Sequence, residues 1–474
     1  MAIDNSNRRF TPPCYDGFAL HTNFAVRRFY TGAVKTKLAI ASLLCCIAAS
    51  AQDTDALIAK QLPSLLEIYQ GLHRAPELSR HEKNTSALLA AELRKAGFTV
   101  TDHVGKYSDT AQTGYGVVAV MKNGKGPVLL IRSDMDALPV EEQTGLPYAS
   151  TVRTKNDQGQ EVPVMHACGH DVHMATLIGV ARVMKEQKAR WHGTLVLVGQ
   201  PAEEVVDGAR AMVNDGFFER FPVPDYAIAL HDDATIDAGK VTVAGGYIMA
   251  SSTSVELVVR GLGGHGSAPE STKDPIVTAA EIITSLQTIV SREMSPFDPA
   301  VVTVGSIHGG LKGNVIPDEV KLQLTVRTYK EDLREKMLAS IARIAKGIAI
   351  ANGIPEDRAP VMTASDTEHT PATYNDPKLS ARVEASLRKA VGESNVSVTQ
   401  PTMVGEDFGR FGRDGKIPTC MFRLGAVDPV KAAEIRRTHA RFASLHSSLF
   451  QPLPEPTLRT GVKTMTTAAI DLLQ

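Results

Sequence analysis

Pro127-Val128-Leu129-Leu130-Ile131-Arg132 is a short apolar run that ends in Ser133-Asp134-Met135-Asp136. A run of this length and composition reads as a strand covered on both faces. Two more repeat the pattern: Gly193–Val198 enters Gly199-Gln200-Pro201-Ala202-Glu203-Glu204, and Tyr226–Leu230 enters His231-Asp232-Asp233. Helical periodicity at Val172–Lys185 lies between the first two. Such alternation predicts an α/β fold, a mostly parallel central sheet with helices on both faces. Ligands bind beyond the carboxyl ends of strands in such sheets. Here three strands each carry acids or a histidine to that edge, more than surface decoration explains.

Outward from this centre, Asp55–Tyr69 and Glu82–Ala96 read as helices, the second closed by Gly97. Near residue 252 the pattern changes. Ser254–Arg260 reads as a strand, and Asp274-Pro275 opens a helix with an N-cap and a proline at its first position, running to about Arg292. Strands at Val301–Ile307 and Val320–Arg327, a helix at Glu331–Asn352 and a strand near Val361–Ser365 complete a ferredoxin-like α+β unit. From Leu379 the helix–strand alternation resumes. The expected division is an extension over 1–51, a catalytic domain over 52–251 and 369–474, and the insertion over 252–368. A chain of 474 residues is long for one core, in keeping with two domains.

The N-terminus reads as an export signal. Arg27, Arg28, Lys35 and Lys37 precede the apolar run Leu38–Ala49, which ends in Ala49-Ser50-Ala51, a small-x-small cleavage site. The run is too short for a membrane span, so the mature chain is expected to begin near Gln52, in the periplasm or outside the cell. Residues 1–51 hold six Lys/Arg against two Asp/Glu, so without them the charge is −5 rather than −1. A mildly acidic chain without basic runs is a poor binder of nucleic acid or anionic membranes. Of five cysteines, Cys14, Cys45 and Cys46 leave with the signal. The remaining two make no disulfide scaffold; Cys168 lies among histidines and reads as a ligand, Cys420 in an apolar run and reads as core.

His166-Ala167-Cys168-Gly169-His170-Asp171-Val172-His173 is the densest cluster of metal-type ligands. With Glu203, Glu204 and His231 at neighbouring strand ends, thiolate, imidazole and carboxylate together suit Zn²⁺ or a similar first-row ion. One metal needs three or four protein ligands, so this many candidates point to two, with the Cys168 sulfur or a water shared between them. Of the two adjacent glutamates, one binds metal and the other is free as general base. Asp136 is placed to orient a ligand histidine. Gly261-Leu262-Gly263-Gly264-His265-Gly266 formally matches a dinucleotide fingerprint, but Pro269 and several more residues intervene before the helix at Asp274. A true fingerprint opens its helix at the third glycine.

These motifs resemble the metallo-amidohydrolase branch of the aminoacylase/carboxypeptidase family, which includes hippurate hydrolases and indoleacetyl-amino-acid hydrolases. The resemblance runs from Leu72-His73-Arg74-Ala75-Pro76-Glu77 to Leu445-His446-Ser447. It includes Arg132–Pro139, His166–His173, Gln200–Glu204, Gly263–Pro269, Asn314–Asp318 and Gly405-Glu406-Asp407-Phe408. It implies that Cys168, His170, Glu204, His231 and His446 bind two divalent metals, Zn or Mn with Co or Ni as further options, and that Glu203 is the general base. The residues alone leave His446, His439 and His369 open. It also implies that the insertion dimerises and that His265 and Asn314 face a catalytic site; Arg327 joins Asn314 as a substrate-binding candidate. The chain departs from the family pattern at Asp232, Glu270 and Gly405, the first two expected near the cleft.

The expected activity is hydrolysis of the amide bond of an N-acyl amino acid or related small amide by a homodimer. Catalytic roles fall to Glu203, Asp136 and His265, the last stabilising the oxyanion. The alternatives are a carboxypeptidase or dipeptidase on the same scaffold, or a non-catalytic metal or ligand binder. A free carboxylate beside a ligand argues against the binder.

Overall fold

Two helices open the computed structural model, which describes residues 54–474: α1 over residues 54–74 and α2 over Lys83–Lys95. The export segment lies outside the described residues. Leu89, Ala90 and Leu93 of α2 are buried, three or four residues apart as an amphipathic helix requires. There follow β1 (Thr99–Lys106), β2 (Thr113–Asn123), β3 (Val128–Asp134), α3 (His170–Glu186), β4 (Gly193–Gln200), β5 (Tyr226–Asp237) and β6 (Val241–Val243). The insertion supplies β7 (Ser251–Arg260), α4 (Pro275–Thr288), β8 (Ala300–His308), β9 (Glu319–Thr328), α5 (Glu331–Ala351) and β10 (Val361–Thr370). The chain then adds α6 (Pro377–Val391), β11 (Val396–Val398), β12 (Thr419–Val427) and α7 (Pro454–Leu472) to the first sheet and its helices.

The large sheet has the order β1-β2-β4-β3-β5-β12-β6-β11. Its centre, β4, β3, β5 and β12, is parallel, and β1 and β2 pair antiparallel at one edge. That edge was not anticipated: β1 is polar and half exposed, so it has neither an apolar run nor a clean alternation. Helix α3 is buried on all sides from His170 to Ala181, because it lies between the sheet and α7. The crossing of α3 and α7 depends on small residues. A Cβ on Gly179 would lie 2.5 Å from Val462 Cγ2, and one on Gly461 2.9 Å from Thr176 Oγ1.

The insertion forms its own antiparallel sheet, β8-β9-β7-β10, the strand order of a ferredoxin-like fold. Val255, Leu257, Val259, Leu322 and Leu324 from the strands meet Ala279, Ile282, Leu286, Met337 and Ile341 from α4 and α5 in a separate core. Helix α4 ends as regular helix at Thr288 and continues to Glu293 as a π-turn, so the expected end near Arg292 mixes two geometries. Strand β10 runs five residues beyond the expected Ser365. Among the described residues no helix is long and apolar enough to cross a membrane.

Candidate metal centre

Each donor is carried to the centre by a different local device. Gly169, with φ 75°, caps α3 and sets His170 at its first turn. A side chain there would strike Asp232, whose Oδ2 lies 2.0 Å from the Cβ position, so the turn requires glycine on both counts. His231 projects from buried β5. Glu203 and Glu204 follow β4 on a turn in which Ala202 adopts φ 51° and donates its N–H to Glu82 Oε1 at 2.7 Å. His446 arrives on a distant loop and is tied to the cysteine loop by its N–H to the Ala167 carbonyl, 2.8 Å.

Around these donors, hydrogen bonds fix which nitrogen faces inward. His170 Nδ1 donates to the Asp136 carbonyl and His231 Nδ1 to the Asp232 carbonyl, both at 2.8 Å. This leaves Nε2 of each for the centre. Cys168 Sγ lies 3.6 Å from His231 Nε2 and 3.3 Å from His446 Nε2. Glu204 Oε1 is 3.8 Å from His170 Nε2 and Oε2 is 3.4 Å from His446 Nε2. Among the donor groups of the described residues are two triads, Cys168/His170/His231 and Cys168/Glu204/His446, each with its ligand atoms within 4.8 Å of one another; a further group, His170/Glu203/Glu204, meets the same distance. The two triads share the sulfur, as a dinuclear site with a bridging ligand would.

The electrostatics fit divalent cations. His170 Nε2 and Glu204 Oε1 are buried without a hydrogen-bond partner, which native interiors rarely tolerate. Burial first, and Glu204 next, push the Cys168 thiol well above its usual range. Burial, with Asp136 and Asp134, lifts the Glu204 carboxyl to about 8. A cation among them would favour the thiolate and carboxylate. Glu203 is buried and stands at the edge of this group, Oε2 4.0 Å from His170 Nε2. Its carboxyl is also pushed up, by burial and then by Glu406 and Glu204.

Asp136, expected among the catalytic residues, does not line the cavity. It meets the orienting place also expected of it: its carbonyl accepts from His170 Nδ1, and its Oδ2 accepts from Ser79 Oγ at 2.6 Å and the Glu204 N–H at 3.0 Å. Asp232 is likewise behind His231 rather than in the cleft, contacting His173 and the underside of Gly169. Glu270 is exposed on a turn of the insertion, outside the cavity lining. His369 is engaged with Thr253 Oγ1 at 3.0 Å on β10, and His439 ends a surface helix.

A cavity of about 730 Å³ opens over the donors, lined by Cys168, Glu203, Glu204, His231, His446 and Arg327 among others. Arg327 reaches it from the insertion and is held by the Met403 carbonyl at 3.0 Å. His265 and Asn314 do not line it. His265 lies in an exposed two-stranded ribbon, paired with Val315, and Asn314 is in the turn that leads into it. A larger cavity of about 860 Å³, lined by Tyr247, Tyr329, Tyr374 and Arg410, contains none of these donors.

Sequence reasoning passed over three supporting groups. Arg132 is fully buried and bonds Asp134 at 2.6 Å, Glu406 at 2.8 Å and Gln200 at 2.8 Å. His173 joins Asp134 at 2.6 Å to the Asp232 N–H at 2.9 Å, linking the end of β3 to the middle of β5. Arg423, a single charge within the apolar strand β12, also lines the cavity; that isolation was the available signal.

Residues 130–451 match Peptidase family M20/M25/M40. The chain belongs to this family. Among its relatives, hippurate hydrolase of Campylobacter jejuni is 37% identical over 347 residues, 73% of this chain and 84% of that protein. Thermostable carboxypeptidase 1 of Saccharolobus solfataricus is 36% identical over 77% of this chain and 87% of its own length. Among solved structures of the M20 family, a dinuclear metal-binding peptidase of Bacillus subtilis superimposes with a TM-score of 0.68 at 27% identity, covering 88% of this chain and 99% of that one.

Proposed function

We propose that the chain hydrolyses the amide bond of N-acyl amino acids or related small amides, using two divalent metal ions held by Cys168, His170, Glu204, His231 and His446. The observation that carries this reading is the pair of donor triads sharing one buried sulfur, with the buried carboxylate of Glu203 beside them. When bound, the cations supply Lewis acidity for a carbonyl and for water. Glu203 takes the proton from the attacking water and returns it to the leaving amine; a carboxyl pKa raised by burial suits both directions of transfer. Arg327, on the insertion side of the cavity, offers a guanidinium to the substrate carboxylate.

The active unit in this reading is a homodimer, in which His265 and Asn314 of one copy complete the cavity of the other. The exposed ribbon that carries them supports it, because Val315 there is 52% exposed and Leu311 beside it fully so. A carboxypeptidase on the same donors is the second reading, favoured by the relative of that name.

Release of free amino acid from a panel of N-acyl amino acids and dipeptides tests the function. Activity should be lost on chelation and return with Zn²⁺, Mn²⁺ or Co²⁺, and acyl amino acids should outrun dipeptides. Preference for dipeptides would favour the second reading, and full activity in protein shown metal-free by elemental analysis would refute the metal reading.

A further inference from the structure

Two arginines are buried among the described residues, Arg132 and Arg423. Arg132 is neutralised by Asp134 and Glu406. Arg423 is not: it is 7% exposed, and its side chain makes no hydrogen bond or ion pair among the described residues. An unpaired guanidinium in a cavity wall presents its donor fork to any anion that enters.

Its position shows where that anion would come from. In the parallel register of β12 and β5, Arg423 lies beside His231, so both side chains leave the same face of the sheet. Arg423 therefore lines the cavity with the metal donors. None of the other carboxylates of that cavity pairs with Arg423. Asp233 Oδ1 accepts from the Thr235 N–H at 2.8 Å and from its hydroxyl at 2.6 Å, and Glu368 is exposed. Glu203 and Glu204 belong to the metal centre. Arg327 is a second cation of the same cavity, on β9 of the insertion, a different wall from β12. Met249, Ala234 and Leu445 add apolar surface to that lining.

We propose that Arg423 is a substrate-binding residue that pairs with a second carboxylate, so that the preferred substrate is an N-acyl amino acid bearing two carboxylates. Arg327 takes one and Arg423 the other, whether the second belongs to the amino acid side chain or to the acyl group. The proposal rests on the hydrolase reading for the scissile amide, but Arg423's own partner is tested without turnover.

The test is calorimetric binding to the full chain carrying Glu203→Gln and loaded with Mn²⁺. Two matched pairs are compared, each differing only in a carboxylate replaced by its amide: N-acetyl-L-glutamate against N-acetyl-L-glutamine, and N-succinyl-L-alanine against its succinamide. In at least one pair the acid should bind roughly 10- to 100-fold more tightly, the range of one charge-assisted contact. The pair that discriminates shows which side carries the second carboxylate. Arg423→Met should erase the preference and Arg423→Lys retain part of it. A role limited to packing would weaken acid and amide alike. Equal binding of both pairs, or a preference that survives Arg423→Met, overturns the proposal. If Arg423→Met fails to fold, as read by thermal melting, Arg423→Lys decides: a reduced but retained preference for the acid supports the proposal, and equal weakening of acid and amide in that variant overturns it. Failure of amide hydrolysis on the substrate panel would sink the function without touching this discrimination.

Discussion

Glu203 and Glu204 are neighbours in sequence with different surroundings. Both oxygens of Glu204 face donor histidines, at 3.8 Å and 3.4 Å, whereas Glu203 approaches one only at 4.0 Å. Glu203→Gln should therefore lower kcat by about 10²–10⁴-fold with metal content retained, and Glu204→Gln should lose metal on dialysis. Elemental analysis beside kinetics checks this; the reverse pattern would exchange the two roles. His73 shows a different use of carboxylates. Its Nδ1 meets Asp171 Oδ2 at 2.7 Å and its Nε2 meets Glu142 Oε1 at 3.0 Å. Burial disfavours the charged ring, but these bonds outweigh it and lift its pKa to about 10. The folded state thus holds a proton that the unfolded chain releases near pH 6.5. The stabilisation is complete below that pH and fades as pH rises through about 10. The loss of melting temperature in His73→Gln should accordingly be largest below pH 6.5 and shrink toward pH 10. A difference that stays flat across that window would mean His73 is neutral in the fold.

At the scale of elements, helix α4 shows how local chemistry sets a boundary. Asp274 is extended at φ −72° and ψ 111°, its Oδ1 accepts from the Ile276 N–H at 2.8 Å, and Pro275 occupies the first helical position. Removing such a cap costs about 0.5–2 kcal/mol, so Asp274→Ala should lower stability by that amount in denaturant titration while Asp274→Asn changes it little. Equal losses in both variants would assign the effect to the charge rather than the cap. This start was legible because the cap and proline are local. The far end fell within a residue of the expected Arg292, but the change to a π-turn at Ile289, which enters the insertion core, is one that no periodicity announces. The edge strand β1 escaped for a related reason: it is defined by the neighbour it pairs with, not by its own apolar pattern.

For the whole molecule, the proposed dimer is tested through His265, which lies on an exposed ribbon and does not line the donor cavity of its own chain. If the partner supplies it, His265→Ala should cut kcat about 10²–10³-fold, the effect of one oxyanion donor. Mixing His265→Ala with Glu203→Gln subunits should restore part of the activity, since one site of each mixed dimer would hold both intact groups. Demonstrated subunit exchange without recovered activity would confine His265 to its own chain or to no role.

Three apolar runs leading into Asp134, Glu204 and His231, with helical periodicity at Val172–Lys185 between the first two, were enough to predict a mostly parallel sheet with ligands at its carboxyl edge. Strand length, apolar pattern and ligand chemistry are local properties, and they are written residue by residue. The sequence by itself did not choose His446 among three candidate histidines without family resemblance. It also could not show that Asp232 stands behind its histidine rather than in the cleft. It did not show that Arg423 is buried without a partner while Arg132 is fully paired. Those distinctions depend on which distant segments meet: the cysteine loop with the His446 loop, β5 with β12. Packing of the whole chain decides them, because burial and charge partners belong to the assembled surroundings and not to any one stretch of residues.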